Sequence, residues 1–302
     1  MHTTLKQLSS FEAVARLRNF TRAAEELNLS QPAVSMQVKQ LENQVQSPLL
    51  EQRGRTLELT EIGLLVLDHA RAVLDEIDAL SAAVDSMKGM KRGKLRLSTV
   101  TTVTYFMPTL LRTFCQRHPE VDVIVNVANR QDQLQQIQDN ETDIAIMGRP
   151  PDDMALTAIP FLKNPLVIVA PREHPLAKKK NIPVERLTGE PFLMREVGSG
   201  TRGAMERFFR EKGVTITTSI EVSGAEALKQ GVQAGLGLAL LSRDSVELEL
   251  TLGRLVELDV KGLPIQRDWY LVHRSKKRLN TPAAAFKVFI EEDAAGLLNR
   301  AR

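Results

Sequence analysis

Cysteine is nearly missing from this chain: among 302 residues only Cys115 is found. A single thiol builds neither a disulfide framework nor a cysteine zinc site, which fits a reducing compartment. Its setting, Leu110-Leu111-Arg112-Thr113-Phe114-Cys115, has a helical pattern, so a small buried side chain is expected there rather than a redox sensor. No apolar run approaches the ~20 residues of a membrane span, and the N-terminus lacks the apolar stretch of a signal peptide. Together these absences predict a cytoplasmic protein with no membrane partner. Catalytic constellations are missing as well. His2, His69, His118, His174 and His273 are scattered, H-E-x-x-H is absent, and no serine or cysteine stands in a nucleophile setting. His118-Pro119 and His174-Pro175 read as turns, Lys178-Lys179-Lys180 as a solvated loop, and Trp269 beside Tyr270 as strand core. The expectation is a protein without catalytic residues or metal.

What is present begins with Asn19–Leu41. Thr21 is placed to cap a short helix in which Ala23, Ala24 and Leu27 form an apolar stripe, and Asn28-Leu29 ends it. Ser30 caps a second helix with Pro32 in its first turn, where a missing N–H does no harm. Val34, Val38, Leu41 and Val45 recur at spacings of four, three and four and share a buried face. Gln31, Pro32, Ser35, Met36 and Lys39 are left on the other, the arrangement that puts side chains on base edges in the major groove. Leu5–Leu17 supplies a first helix, with Leu8, Phe11, Val14 and Ala15 facing the core. Residues 49–60 then read as two short strands around Arg53-Gly54-Arg55, a wing able to reach phosphates or a narrow minor groove. The sum is a winged helix-turn-helix. Charge of one sign is scarce, with 40 Lys+Arg against 37 Asp+Glu and a net of +3. Recognition of DNA must therefore rest on placed contacts more than on a charge field.

From Glu61 to about Met87 a long helix carries Val66, Ala70, Val73, Ile77, Leu80, Val84 and Met87 at alternating four-three spacing, a coiled-coil seam. Asp68, Arg71, Asp75, Asp78 and Asp85 lie off that seam. So small a domain gives so long a helix little to cover, which predicts pairing with a second copy and a DNA site with two related halves. The glycine-punctuated stretch 88–93 is a hinge. Beyond it strands alternate with helices: strands at 94–99, 121–128 (four valines on one face), 143–147, 165–171, 191–195, 216–222, 238–241 and 268–273, with helices at 108–117, 131–139, 202–212, 225–234 and 282–298. Alternation of this kind means α/β sheets with ligand sites at strand ends. The expected organisation is a DNA-binding domain (1–60), a dimerising helix (61–87), the hinge (88–93) and an α/β domain (94–302). That last domain is two Rossmann-like lobes around a cleft, one from about 94–164 and 269–302, the other from about 165–268.

Three strand ends carry polar groups: Thr99 and Thr101, Arg149, and the loop Arg195, Ser199, Thr201 and Arg202, where helix N–H groups favour an anion. Arg130 is a fourth candidate. Together they describe a pocket for a small anion such as a phosphate or carboxylate. Gly198-Ser199-Gly200-Thr201-Arg202-Gly203 also satisfies the dinucleotide fingerprint, with Glu221 at a plausible distance. It does not follow the first strand of a full doubly wound domain, and so reads as an anion cradle.

The stretch Thr21–Ser35, the wing leading into Leu59-Thr60-Glu61-Ile62-Gly63 and the helix after it resemble the LysR-type transcriptional regulators, and the remainder is similar to their periplasmic-binding-protein-like effector domain. Ser30–Glu42 together with Phe192–Arg202 resembles the branch that regulates carbon-fixation (Calvin-cycle) operons. The resemblance implies a homodimer or homotetramer on promoter DNA, bending it in response to a metabolite in the cleft. For that branch the implied effectors are phosphorylated sugars or acids, or NADPH, with no enzymatic cofactor. Gln31, Pro32 and Ser35 would touch bases; Thr21, Lys39, Arg53 and Arg55 would hold phosphates or the minor groove. Leu50 stands where the family usually has an aromatic and Gln52 where an arginine is frequent, which throws the wing's contacts onto Arg53 and Arg55. Two other readings stay open: an oxidoreductase using the glycine loop for a nicotinamide cofactor, which the absent acid–base groups argue against, and a solute-binding module whose helical arm only dimerises.

Overall fold

The computed structural model of the chain describes residues 2–54, 56–87 and 93–301. It divides into two units, Met1–Met90 with Lys276–Thr281, and Lys91–Ser275 with Pro282–Arg302. Arg55, the hinge residues 88–92 and the side chains of Asp78, Asp85 and Met87 lie outside the described residues.

The first unit opens with α1 (Leu5–Leu17), closed at its start by a capping box between Thr4 and Gln7. Helix α2 (Phe20–Glu26) is capped by Asn19, whose Oδ1 accepts from the amides of Thr21 at 2.8 Å and Arg22 at 3.0 Å. The cap is thus not Thr21, which already lies inside the first turn. Asn28, at φ 53°, turns the chain into α3 (Gln31–Val45), where the Ser30 Oγ accepts from the Ala33 amide. Phe11, Val14, Ala23, Val34, Val38 and Leu41 close a shared core under these three helices. Strands β1 (Leu50–Arg53) and β2 (Thr56–Leu59) pair antiparallel around Gly54 at φ +62°, a left-handed position that suits glycine. Helix α4 (Glu61–Met87) follows. Its first part belongs to this core: Leu67 and Ala70 are buried and Val66 is half-buried. Arg71, off the seam, is buried with its guanidinium 3.3 Å from Glu12. Further along, Val73, Ile77, Leu80 and Val84 are exposed, Leu80 at 58%. The seam therefore changes character along its length, from the unit's own packing at Val66 and Ala70 to a bare apolar stripe.

The second unit contains, in chain order, β3 (Gly93–Thr99), a 3-10 turn (Thr101–Tyr105), α5 (Met107–Arg117), β4 (Val121–Val127), α6 (Arg130–Gln138), β5 (Ile144–Met147), β6 (Leu156–Lys163) and β7 (Leu166–Pro171). A second 3-10 turn (Val184–Leu187), β8 (Pro191–Arg195), α7 (Gly200–Glu211), β9 (Thr217–Val222), α8 (Ala225–Gln233), β10 (Ala239–Ser242), α9 (Arg243–Thr251), β11 (Leu255–Glu257), β12 (Asp268–Arg274) and α10 (Thr281–Ala301) complete it. One lobe holds a five-stranded sheet in the order β4-β3-β5-β12-β6. The other holds β10-β7-β11 and the parallel pair β8-β9, joined by a bridge between Phe192 and Leu238. The chain crosses between lobes twice, and the crossings touch where the Asn164 amide donates to the Arg267 carbonyl at 2.8 Å.

Several local expectations change. β6 escaped the sequence reading because Pro160 interrupts it; the strand is an edge, where a missing N–H is tolerated. Helix α9 buries Ser245, Val246 and Glu249 rather than an aliphatic stripe, so its periodicity is faint. On β4, an edge strand, Val125 and Val127 are exposed. Cys115 is exposed, not buried, because α5 turns Met107, Leu110 and Phe114 inward and leaves the next residue outside.

Candidate functional site

Two regions gather the candidate residues, one in each unit. In the first, Gln31 and Pro32 are exposed in the opening turn of α3, Lys39 is exposed two turns later and Ser35 is half-buried between them. Met36, at 53% exposure, adds an apolar patch fit for a thymine methyl. Lys39 stands 3.4 Å from Glu42 and leaves most of its surface free. At the wing, Arg53 Nε lies 2.8 Å from Glu51 and 3.5 Å from Glu58, two carboxylates paired across the strands. Thr21 is exposed in the first turn of α2. The face is therefore polar, accessible and carries cations whose present partners are weak surface pairs.

In the second unit a cleft of about 860 Å³ lies between the lobes, lined by Arg130, Arg149, Ser199, Arg202, Arg207 and Arg267 among others. A smaller chamber of about 40 Å³ shares Arg130, Ser199, Gly200 and Arg267 and adds Thr101, Thr201 and Arg195. The expected residues divide by what already holds them. Thr99 is fully buried and lines neither space. Arg195 is buried in a bidentate pair with Glu196, both bonds 2.7 Å, and reaches Thr101 Oγ1 at 3.4 Å. Burial works against the Glu196 charge, yet the Arg195 guanidinium outweighs it and holds that carboxyl below its usual range. Arg202 is clamped by Glu206 at 2.8 Å and Glu221 at 2.6 Å and also donates to the Arg195 carbonyl. These two guanidiniums hold the loop; they are not the free charges of the cleft. Arg149 is largely exposed beside Asp152.

The free charges are Arg130 and two residues the sequence reading missed, Arg207 and Arg267. Among the described residues none of the three has a carboxylate within ion-pair distance. Arg267 donates to the Gly200 carbonyl at 2.9 Å and Arg130 to the Arg149 carbonyl at 2.9 Å. Burial, then Arg207, then Arg130 push the Arg267 guanidinium down to about 10, and burial with Arg207 lowers Arg130. An arginine keeps its charge at neutral pH, so Arg130, Arg207 and Arg267 bring three like charges, none in an ion pair, to a cleft whose lining also includes Asp152, Glu206, Glu211 and Asp268. Ser199, at the N-cap of α7, makes no capping bond of its own, so its hydroxyl and the first-turn amides face the same need for an acceptor. Charge repulsion and open amides together make a site that an anion stabilises. Arg207 could have been found from its place four residues after Gly203 on one face of α7; Arg267 precedes a strand rather than ending one, and gave no signal.

Known proteins bear on both regions. Residues 5–64 match the bacterial regulatory helix-turn-helix protein, lysR family, and residues 88–295 match the LysR substrate binding domain. The chain is 48% identical over 295 residues to the RuBisCO operon transcriptional regulator of Allochromatium vinosum, covering 98% of each chain. It is 47% identical over 290 residues to the HTH-type transcriptional regulator CbbR of Rhodospirillum rubrum, covering 96% of each. Among solved structures, the Synechocystis PCC6803 CcmR regulatory domain in complex with 2-PG matches at 38% identity and TM-score 0.65, covering 67% of this chain and 99% of that one. A full-length OxyR variant from Pseudomonas aeruginosa matches at TM-score 0.78 and 21% identity over 98% of this chain and 97% of that one, a likeness of fold alone.

Proposed function

We propose a function from one premise: the chain belongs to the LysR family of bacterial helix-turn-helix regulators. It is a transcriptional regulator, not an enzyme. It binds promoter DNA and a small-molecule effector and acts as a multimer. Its target is a set of carbon-fixation genes, and its effector is a small phosphorylated acid. The observation that carries the effector reading is the trio Arg130, Arg207 and Arg267, lining one cleft with no carboxylate within ion-pair distance of any of them among the described residues. The names of the relatives, regulators of RuBisCO operons, and the 2-PG bound by the CcmR domain support the same reading.

Residues 1–60 form the DNA-reading domain. Gln31, Pro32 and Ser35 read base edges, while Thr21, Lys39, Arg53 and Arg55 hold phosphates or the minor groove. The bare stripe Val73, Ile77, Leu80 and Val84 pairs with its copy on a second chain, with Val66 and Ala70 anchoring the helix to its own domain. That places two recognition helices on two half-sites.

A second ligand, NADPH, is favoured by one feature. Strand β8, helix α7 and strand β9 form a parallel βαβ unit with Gly198, Gly200 and Gly203 at its turn and Glu221 near the end of β9. Glu221 is already bound to Arg202, which weakens its claim to a ribose.

The test is footprinting of the full-length protein on the promoter beside its own gene at fixed salt, alone and with 2-phosphoglycolate or NADPH. A footprint that shifts with 2-phosphoglycolate supports the reading; a shift with NADPH alone replaces the effector. Affinity no greater than for random duplex overturns the whole assignment.

A further inference from the structure

Arg267 sits on one of the two crossings between lobes, and its side chain passes between two glycines. On the α7 side its Nη1 donates to the Gly200 carbonyl, and a Cβ placed on Gly200 would meet Nη2 at an ordinary 3.5 Å. On the other side a Cβ placed on Gly148, just beyond the end of β5, would fall 2.3 Å from Nη2. The three nearest atoms to that position all belong to the Arg267 guanidinium. Gly148 is absent from the glycines at positive φ, unlike Gly198 at +87°, so its backbone gives no reason for glycine. What glycine supplies at 148 is room.

We propose that Gly148 is a positioning residue for effector selectivity: its missing side chain seats the Arg267 guanidinium so that, with Arg130 and Arg207, it presents positive charge from three elements to a tetrahedral oxyanion. A phosphate carries several terminal oxygens and up to two negative charges, and can answer three separate cations. A planar carboxylate has two oxygens and one charge and leaves part of the repulsion standing. The inference rests on the anionic-effector reading and narrows it to a phosphoryl group held by the crossing between the lobes.

The clash that Gly148→Ala creates is with the far end of a flexible side chain, so the fold can accommodate it by moving Arg267 alone. Titration calorimetry of the full-length protein with 2-phosphoglycolate, and with glycolate as the carboxylate-only probe, would compare wild type, Gly148→Ala, Arg267→Gln and the double variant, with melting curves alongside. The expected result is a Gly148→Ala protein that melts with wild type but binds 2-phosphoglycolate about tenfold more weakly, the size of one missing charged hydrogen bond. Glycolate binding would change less, and Gly148→Ala would cost nothing further in the Arg267→Gln background. Wild-type affinity in Gly148→Ala, or an equal added loss in the double variant, overturns the inference while leaving the effector reading intact. A Gly148→Ala chain that unfolds overturns it too unless Arg267→Gln restores the fold. Wild type that binds neither probe removes the effector reading itself, and this inference with it.

Discussion

The Tyr105 hydroxyl donates to Glu226 Oε2 at 2.9 Å, joining the 3-10 turn after β3 in one lobe to the first turn of α8 in the other. Behind this bond Lys229, only 7% exposed, lies 2.8 Å from Glu226 and 2.9 Å from Glu249, with its ammonium 5.1 Å from the centre of the Tyr105 ring. A buried ammonium is tolerated when paired and capped this way. The same 3-10 turn begins at Thr101, which touches Arg195 at the smaller chamber, so one short element lines that chamber and carries the clasp between lobes.

The clasp makes a pH prediction. The bonds from Lys229 first, and then from Gln230 and Tyr105, push the Glu226 carboxyl down to about 2. An unfolded glutamate titrates near ~4.3. The folded value is the lower one, so the stabilisation is complete above ~4.3 and is lost as pH falls from there toward about 2. Replacing Glu226 with Gln should lower the melting temperature at pH 7, and the gap to wild type should narrow as pH falls from ~4.3 toward about 2. A gap that does not change over that range would mean the carboxylate charge contributes nothing.

At the start of α2 the helix cap and the proposed DNA contact fall on two different residues. Asn19 caps the helix through two amide bonds, while Thr21 only offers one of those amides and is itself exposed. Asn19→Ala should destabilise the DNA-binding domain by about 1 kcal/mol in chemical denaturation. Thr21→Val should leave that curve in place and weaken binding to every duplex. Equal destabilisation by both would return the cap to Thr21.

What was legible follows from physics that acts locally. The heptad spacing of Val34, Val38 and Leu41 shows in the sequence because burial of a helix face imposes it, and Ser30-Gln31-Pro32 shows because helix starts need acceptors. Arg267 was illegible for the opposite reason. Its meaning depends on Gly148, Gly200, Arg130 and Arg207, which only the crossing of the lobes brings together. Arg195 and Arg202 sat in the expected loop, but sequence did not reveal that Glu196, Glu206 and Glu221 already neutralise them.

That contrast separates two arginines on one helix. Arg207→Gln removes a charge that repels Arg130 and Arg267, so the ligand-free protein should melt at the same temperature or higher. The same change should weaken the phosphorylated effector by about tenfold, one charged contact. Arg202→Ala breaks two ion pairs and a bond to the Arg195 carbonyl, and should lower the melting temperature while disturbing the effector indirectly. Melting with and without 2-phosphoglycolate distinguishes the two; a stabilised Arg202→Ala would reverse the roles.

On the DNA-reading face, Ser35 and Lys39 are one helical turn apart on α3 but differ in what they can recognise. Ser35 is half-buried near the front of the helix, short enough that only a base edge pressed against α3 would meet its hydroxyl. Lys39 is long, exposed and only loosely held by Glu42, and its ammonium is a point charge suited to a phosphate. Ser35→Ala should therefore reduce the preference for the operator over random duplex by about 1–3 kcal/mol at the base pair it meets, with the affinity for random DNA unchanged. Lys39→Ala should weaken both duplexes alike and lower the slope of log affinity against log salt by about 0.9 for each phosphate no longer neutralised. Salt titrations on both duplexes with both variants decide it. Should Lys39→Ala change the preferred sequence while the slope holds, Lys39 reads bases and the division of labour along α3 is reversed.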